Sequence, residues 1–140
     1  MYPIQGSWFG EYTINHGTYE DPDIKWFHFE LRIKGDEEEF TGRFFDKTLT
    51  TQESIVHGFL DNDFISFVRE ANQNSELKEA FSFNLDNEEK KVEIHFAGNF
   101  NSEEDGYIGN WEFEVYEERE GLQETGISEY RTGSWYMRKL

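Results

Sequence analysis

The clearest indication of secondary structure is the stretch Ile24-Lys25-Trp26-Phe27-His28-Phe29-Glu30-Leu31-Arg32-Ile33-Lys34. Apolar residues occupy every second position from Phe27 to Ile33, and mostly polar or charged residues lie between them. Because successive side chains of a strand point to opposite faces, this period of two predicts a β-strand with one buried face. Strands that are apolar on one face and polar on the other are typical of antiparallel sheets.

The same period of two recurs along most of the chain. Residues 90–98 and 107–117 show it clearly, and Phe81, Phe83 and Leu85 predict another strand within 78–86. The predicted strands are 6–14, 24–34, 38–46, 53–60, 63–70, 78–86, 90–98, 107–117 and 129–139. The segments 48–54 and 118–126 show no clear period, and the second is compatible with a loop or one helical turn.

Short polar turns separate these strands. Asp61-Asn62-Asp63, Asp86-Asn87-Glu88-Glu89 and Asp105-Gly106 predict tight hairpins. An open meander of so many strands would expose two edges, and closure into a barrel removes both. The sequence therefore predicts an all-β fold, an eight- or nine-stranded antiparallel up-and-down (meander) β-barrel. Glycines inside the strands would permit its sharp coiling, at Gly10, Gly42, Gly58, Gly98 and Gly109.

Length and composition set the broad class of the protein. A chain of 140 residues predicts a single domain, residues 1–140, that folds without disulfides, and the sequence contains no cysteine. The first residues, Met1-Tyr2-Pro3-Ile4-Gln5, resemble neither a signal peptide nor a membrane anchor, so we expect a cytoplasmic protein without a membrane partner. The 30 acidic and 13 basic residues give a net charge of −17, which disfavours binding to nucleic acid.

Both ends of the chain carry the same tripeptide, Gly6-Ser7-Trp8 and Gly133-Ser134-Trp135. This repetition suggests that the first and last strands meet. Gly6-Ser7-Trp8 resembles the Gly-x-Trp opening of lipocalins, fatty-acid-binding proteins and avidins, the calycin barrels. The final stretch 133–140 and the phrase Phe40-Thr41-Gly42-Arg43-Phe44 are similar to avidin strands. The resemblance implies a streptavidin-like or lipocalin-like small β-barrel.

The residues that hold biotin in avidins are missing from this chain. After Gly-x-Trp, avidins have Asn or Asp and then Gly-Ser, whereas this chain has Phe9-Gly10-Glu11-Tyr12-Thr13. Trp135 stands where the last avidin strand has Asn or Asp, and only Trp111 matches a tryptophan of the avidin pocket. The resemblance therefore implies a barrel of this type without biotin as its ligand.

The barrel interior is the best candidate for a ligand site, since small barrels can hold one small molecule among aromatic side chains. Phe27 is expected to face inward together with the predicted ligand-binding residues, Trp8, Tyr12, Phe29, Phe44, Phe96, Trp111 and Phe113. Arg43, Arg69 and Tyr107 are candidates for polar contacts, although the strand pattern leaves their direction open. Large rings could equally fill the interior without any ligand.

Three kinds of function remain open at this stage. The first is a non-catalytic binding protein for a small, partly apolar ligand in the aromatic-lined barrel mouth, without a cofactor. The second is a protein-interaction or structural module that acts through its acidic outer surface, with an exposed patch near Trp26 or Trp135, and a homo-oligomer is possible. The third is an enzyme with a site in the barrel mouth, for which Glu112 and Glu114 offer a carboxylate pair.

Metal sites are not indicated by the sequence. Residues 101–112 fit the twelve-residue calcium-loop pattern in part, with oxygen-bearing residues at positions 1, 3 and 5, Gly106 at position 6 and Glu112 at position 12. Strand-like flanks favour an ordinary hairpin there instead. His28 and His95 fall on the polar faces of their strands, so we expect them in solvent rather than in a zinc site.

Overall fold

The computed structural model describes residues 3–35, 38–49, 53–83, 91–117 and 127–140, with the backbone alone for 115–117 and 127–129. The strands are β1 (Gly6–Asn15), β2 (Ile24–Lys34), β3 (Glu39–Asp46), β4 (Ser54–Asp61), β5 (Phe64–Ala71), β6 (Val92–Asn101), β7 (Gly106–Glu117) and β8 (Ile127–Lys139). Each is antiparallel to the next in chain order, and β8 pairs with β1. The prediction of an all-β, up-and-down closed barrel is confirmed, with eight strands.

The prediction of a strand over 78–86 is wrong. Residues Ser75–Phe81 form the helix α1, which begins after Asn74 and ends at Ser82, whose φ of 54° is left-handed. Its buried residues are Leu77, Ala80 and Phe81, a spacing of three and four that defines a helical face. The alternation that suggested a strand extends into residues 84–86, which lie outside the described residues, as does the predicted turn at 86–89.

The first and last strands form the seam of the barrel, as the repeated tripeptide suggested. In the pairing of β1 with β8, Tyr12 lies opposite Trp135, and the hydroxyls of Thr13 and Ser134 are 2.8 Å apart. Gly133 leaves the room in which the Trp111 indole Nε1 donates a hydrogen bond to the Thr13 carbonyl at 2.8 Å. The seam is therefore closed by backbone pairing and by side-chain hydrogen bonds.

Two of the predicted hairpin turns are confirmed. Asn62, between β4 and β5, and Asp105, between β6 and β7, each have a φ of 55°, in the left-handed region that tight turns use. The side-chain oxygen of Asn101 accepts hydrogen bonds from the backbone N–H groups of Glu103 and Glu104 at 3.0 and 3.1 Å. The hairpin interpretation of residues 101–112 is thus confirmed, because Glu112 lies within β7 with its side chain exposed.

Aromatic rings fill the middle of the barrel. The rings of Phe29 and Phe44 stack with centroids 4.6 Å apart, and those of Phe67 and Phe96 stack at 4.8 Å. At the barrel end where α1 lies, hereafter the α1 end, the Phe81 ring contacts Trp111 at a centroid distance of 5.1 Å. No helix in the described part of the chain has the length and apolar character needed to cross a membrane.

Candidate functional site

All of the predicted ligand-binding residues lie in the barrel interior. None is more than 2% exposed, and they are Trp8, Tyr12, Phe29, Phe44, Phe96, Trp111 and Phe113. Phe27, which was also expected to face inward, is buried and stacks on Tyr12. Because neighbouring rings lie at contact distance, these residues form a packed aromatic centre. Their role as ligand contacts stays a prediction.

The structure fixes the direction of the three polar candidates. Arg43 points outward, where its guanidinium lies 3.3 Å from the carboxylate of Glu53. Tyr107 is buried, and its hydroxyl has no hydrogen-bond partner within the described residues. Burial raises the pKa of Tyr107, and the negative charge of Asp63 raises it further. Arg69 also points inward and is 0% exposed.

Arg69 is the centre of a buried polar group, the Arg69 cluster, which consists of Arg69, Asp46, Ser54 and Tyr12. The guanidinium Nη1 lies 3.4 Å from Oδ2 of Asp46, and Nε donates a hydrogen bond to the Ser54 hydroxyl at 3.0 Å. The guanidinium carbon is 4.2 Å from the centroid of the Phe44 ring, a cation–π distance. Arg69 is therefore held by an ion pair, a hydrogen bond and an aromatic face.

Asp46 uses both of its carboxylate oxygens inside the cluster. Oδ2 accepts the hydroxyl hydrogen of Tyr12 as well as the Arg69 contact. Oδ1 accepts the backbone N–H groups of Thr48 and Leu49 at 3.2 and 3.0 Å, just beyond the end of β3. This set of donors holds Asp46 in one orientation and fixes Arg69 in turn.

The Tyr12 hydroxyl is a hydrogen-bond donor throughout the ordinary pH range. Burial raises its pKa well above the usual value, an effect that the Arg69 charge opposes and the Asp46 charge strengthens. A neutral phenol can donate to the Asp46 carboxylate, whereas a phenolate would repel it. The cluster therefore has one formal positive and one formal negative charge.

A buried ion pair is not needed to stabilise a core of this kind. Replacing such a pair by apolar side chains is often neutral or stabilising, because both charges lose their hydration on folding. The rest of the described interior is almost entirely apolar, and Arg69 and Asp46 are its only charged members. The Arg69 cluster is therefore the candidate functional site of the described interior.

A cavity of about 520 Å³ lies beside the cluster at the α1 end. It is lined by Glu53, Ser54, Arg69, Ala71, Asn72, Gln73, Asn74, Ser75, Glu76 and Leu77. Its volume falls in the range of small-molecule pockets. None of the seven predicted ligand-binding residues lines it, although Tyr12 belongs to the Arg69 cluster and the Phe44 ring contacts Arg69.

Sequence reasoning missed Asp46 and Ser54, although the alternation pattern contained a signal for both. Asp46 has the same parity as the inward Phe44 in β3, and Ser54 has the same parity as the inward Val56 in β4. Arg69 likewise shares parity with Phe67 in β5. A polar residue at an inward position of a strand is the signal that identifies the cluster.

The carboxylate pair and the two histidines considered from the sequence lie on the outer surface of the barrel. Glu112 and Glu114 are both exposed on the outer face of β7, and His28 and His95 are exposed as expected. Within the ranges that the structure describes, no group of three His, Asp or Glu side chains is placed to hold a metal ion.

The two tryptophans proposed for an outer patch differ. Trp26 is 53% exposed, on the outer face of β2. Trp135 is buried, and its indole donates hydrogen bonds to the carbonyls of Ala97 and Asn110 at 3.2 and 3.0 Å. The expectation that Trp135 contributes to an exposed patch is therefore wrong, because β8 turns it to the inner face.

Comparison of the chain with protein-family models, with curated proteins and with solved structures finds no match. The closed eight-stranded antiparallel barrel is compatible with a calycin-like fold.

Proposed function

We propose that this protein is a non-catalytic binding protein for a small, partly apolar ligand that occupies the cavity at the α1 end, in a barrel of streptavidin-like or lipocalin-like type. The observation that carries the proposal is the position of the Arg69–Asp46 ion pair, which is fully buried and yet lines a ligand-sized cavity through Arg69. Polar groups held in fixed positions in a pocket provide orientation and specificity for a ligand.

The lining of the cavity supports a ligand of mixed character. Ala71 and Leu77 offer apolar surface, and both are themselves buried. Arg69 and Ser54 offer polar atoms at the deep end, whereas Asn72 and Glu76 are exposed at the rim. A molecule with one polar end and an apolar body would match this arrangement.

Binding is proposed rather than catalysis because the groups of the cluster are held in fixed hydrogen bonds to one another. Both oxygens of Asp46 accept hydrogen bonds from the surrounding donors. Arginine stays charged at all physiological pH values, and Tyr12 keeps its proton because burial raises its pKa. A general acid or base would need a pKa close to the working pH. The cytoplasm is the proposed compartment, on the sequence alone.

A fragment screen followed by nuclear magnetic resonance tests the proposal. Small aromatic and alicyclic fragments are titrated into the ¹⁵N-labelled protein, and the backbone amide shifts of residues 53–54 and 69–77 are recorded. We expect hits to shift these amides and the Arg69 Nε–H signal, since both border the cavity.

A blocking variant gives this screen its control. Asn72→Trp places an indole at the exposed rim of the cavity and is expected to abolish the shifts. Asn99→Trp adds the same ring at an exposed position of β6 outside the cavity and should leave them unchanged. Hits that bind equally well to the Asn72→Trp protein, or a screen with no shifts at these amides, would contradict the proposed function.

A further inference from the structure

The helix α1 covers one end of the barrel, and its two ends contact different parts of the site. Its first residues, Ser75, Glu76 and Leu77, line the cavity, whereas Phe81 at its last position lies against the aromatic centre. We infer that α1 is a lid that opens as a local unit, and that in the closed lid the Phe81 ring fills the place that the apolar part of the ligand takes when the lid is open. The inference rests on the proposed function, since it concerns the route into the same site.

The Phe81 ring contacts three of the residues that the sequence predicted to bind the ligand. Its centroid lies 5.1 Å from that of Trp111 in an edge-to-face arrangement, 6.0 Å from that of Tyr12 in a nearly parallel one, and 6.1 Å from that of Phe113. With Phe81 in this position, none of the three lines the cavity. Because the ring comes from the helix and not from a strand, a ring of the ligand can make the same contacts once α1 has moved away.

The attachment of α1 to the barrel differs from that of the strands. Each strand is hydrogen-bonded to two neighbours, but within the described residues no backbone hydrogen bond joins α1 to a strand. The helix is held by its buried apolar face and, near its C-terminal end, by side-chain hydrogen bonds. His16 Nε2 donates to the Ala80 carbonyl at 2.9 Å, and Arg131 Nη2 donates to the Ser82 carbonyl at 3.1 Å. Loss of these contacts leaves the strand pairing intact, so α1 can open without unfolding the barrel.

The residue at which α1 ends disfavours the closed position. Ser82 has a φ of 54° and a ψ of 57°, in the left-handed region that helices most often assign to glycine at this place. A β-carbon makes this conformation less favourable than it is for glycine. Ser82 is exposed and lies outside the cavity lining, so its substitution alters the lid without changing the lining.

Hydrogen exchange of the full-length protein without ligand tests whether α1 opens by itself. Exchange rates of the amides of residues 79–81 are compared with those of residues 94–96 in β6, at several urea concentrations below the unfolding transition. We expect residues 79–81 to exchange about 100-fold faster and with a smaller dependence on urea, because local opening exposes little surface. Equal rates and equal urea dependence would mean that α1 opens only when the barrel unfolds, and the inference would be overturned.

Two variants should shift the lid in opposite directions. His16→Ala removes the hydrogen bond to Ala80 and should speed exchange of residues 79–81 about fivefold, whereas Ser82→Gly should slow it about threefold. The matched control, His95→Ala, alters an exposed histidine on the outer face of β6 and should leave these rates unchanged. Exchange rates in α1 that respond to neither variant would contradict a lid held at its C-terminal end.

Toluene tests the second half of the inference, because it is a single ring close in size to a phenylalanine side chain. It is titrated into protein labelled with 5-fluorotryptophan, in which Trp111 reports on the place of Phe81, and Trp8, beside Tyr107, reports on the other end of the barrel. We expect toluene to shift the Trp111 fluorine signal and not that of Trp8. Toluene should bind Phe81→Ala about tenfold more tightly, because the place of the ring is already vacant.

Equal affinity for the unaltered and Phe81→Ala proteins would overturn the inference, and so would a Trp111 shift in the variant alone, which describes a cavity made by the substitution. Phe67→Ala is the control for loss of a buried ring. Phe67 stacks on Phe96 and contacts Trp135, so toluene in the space left there should shift the Trp135 signal instead. If Phe81→Ala does not fold, Phe81→Leu replaces it and should tighten toluene binding about threefold.

These outcomes are separate from the test of the proposed function. A helix that does not open, or a Trp111 signal that does not respond to toluene, overturns the lid, whereas the fragment screen on the cavity amides still decides whether the cavity binds a small molecule.

Discussion

Arg69 occupies an inward position of β5 at which a strand of this type would ordinarily have an apolar side chain. Its neighbours on the same face, Phe67 and Ala71, are apolar and buried. A buried guanidinium is tolerated there because Asp46, Ser54 and the Phe44 ring replace the water that it lost. The partners are thus a condition for placing this residue in the interior.

The dependence of each charge on the other can be measured. Arg69→Met should lower the free energy of unfolding by about 3–5 kcal/mol, because the Asp46 carboxylate is left buried without a counter-charge. The double variant Arg69→Met with Asp46→Asn removes both charges, and it should recover roughly half of that loss, since an amide still hydrogen-bonds to Tyr12. Urea unfolding curves of the four proteins provide the double-mutant cycle. Additive losses would mean that the two residues do not interact.

Gly133 is a position at which a single methyl group should disturb the seam of the barrel. A β-carbon at this position would lie 2.2 Å from the Thr13 carbonyl oxygen and 2.3 Å from the Trp111 Nε1 atom, which are hydrogen-bonded to each other. Neither the backbone of β1 nor a buried indole can move away easily. We therefore expect Gly133→Ala to destabilise the protein by about 2–4 kcal/mol in urea unfolding.

The control for this change is the neighbouring residue on the same strand. Thr132→Ala alters an exposed side chain and should reduce stability by less than about 1 kcal/mol. If Thr132→Ala and Gly133→Ala lower the free energy of unfolding equally, the loss at position 133 is not caused by a clash with Trp111.

At the scale of elements, α1 is the part of the structure that determines the cavity. It contributes Ser75, Glu76 and Leu77 to the lining and inserts Phe81 between Tyr12 and Trp111. The helix has only seven residues, so its own hydrogen bonds are insufficient to stabilise it. Its buried face and its two caps hold it in place.

The N-terminal cap of α1 offers a direct test. The Asn74 side-chain oxygen accepts a hydrogen bond from the Leu77 backbone N–H at 2.8 Å. Asn74→Ala should therefore cost about 1 kcal/mol of stability and speed amide hydrogen exchange within α1. Asn72→Ala, two residues earlier and exposed, should do neither. An unchanged exchange rate in the Asn74→Ala protein would argue against a capped helix at this position.

At the scale of the whole molecule, closure of the barrel buries an aromatic centre to which seven of the eight strands, all except β4, contribute a buried ring. The ring of Tyr12 lies within contact distance of five other rings, those of Phe27, Phe29, Phe44, Phe81 and Phe96. These rings come from three strands and the helix as well as from β1, which makes the interior one cooperative unit. Tyr12 and Tyr107 are buried in this interior, so the stability of the folded barrel depends on pH.

Stability should fall as the solution becomes alkaline. The pKa values of Tyr12, Tyr107 and Tyr136 are all raised, in each case chiefly by burial. Above the ordinary tyrosine pKa of about 10, the unfolded chain releases these protons while the folded chain retains them, so unfolding becomes more favourable. For Tyr12, whose shift is the large one, the free energy of unfolding falls by about 1.4 kcal/mol per pH unit in that range.

Urea unfolding between pH 8 and 11.5 measures this slope, and Tyr12→Phe isolates one contribution. The variant should lose a constant increment of stability below pH 10, because the hydrogen bond to Asp46 is missing. Above pH 10 its slope should be shallower than that of the unaltered protein by about 1.4 kcal/mol per pH unit. Parallel slopes would contradict a raised pKa for Tyr12 in the folded state.

The sequence alone was sufficient to predict the barrel and its aromatic interior. Alternation with a period of two is a local property, so it identified the strands around Phe29, Phe96 and Trp111 and the side of each that is buried. Turn-forming residues are also a local property of the sequence, and Asp61-Asn62-Asp63 predicted the hairpin in which Asn62 has a left-handed φ. Pairing of β1 with β8 was indicated by the repeated Gly-Ser-Trp.

Only the tertiary structure decided the helix and the candidate site. Phe81 and Phe83 fit a period of two, but Phe81 shares a helical face with Leu77 and Ala80, and the burial of that face against the barrel end settled the helix. Asp46, Ser54 and Arg69 are 8 and 15 residues apart along the chain, on three strands. Their meeting depends on the registers of β3, β4 and β5, which pairing across the sheet fixes and local sequence does not.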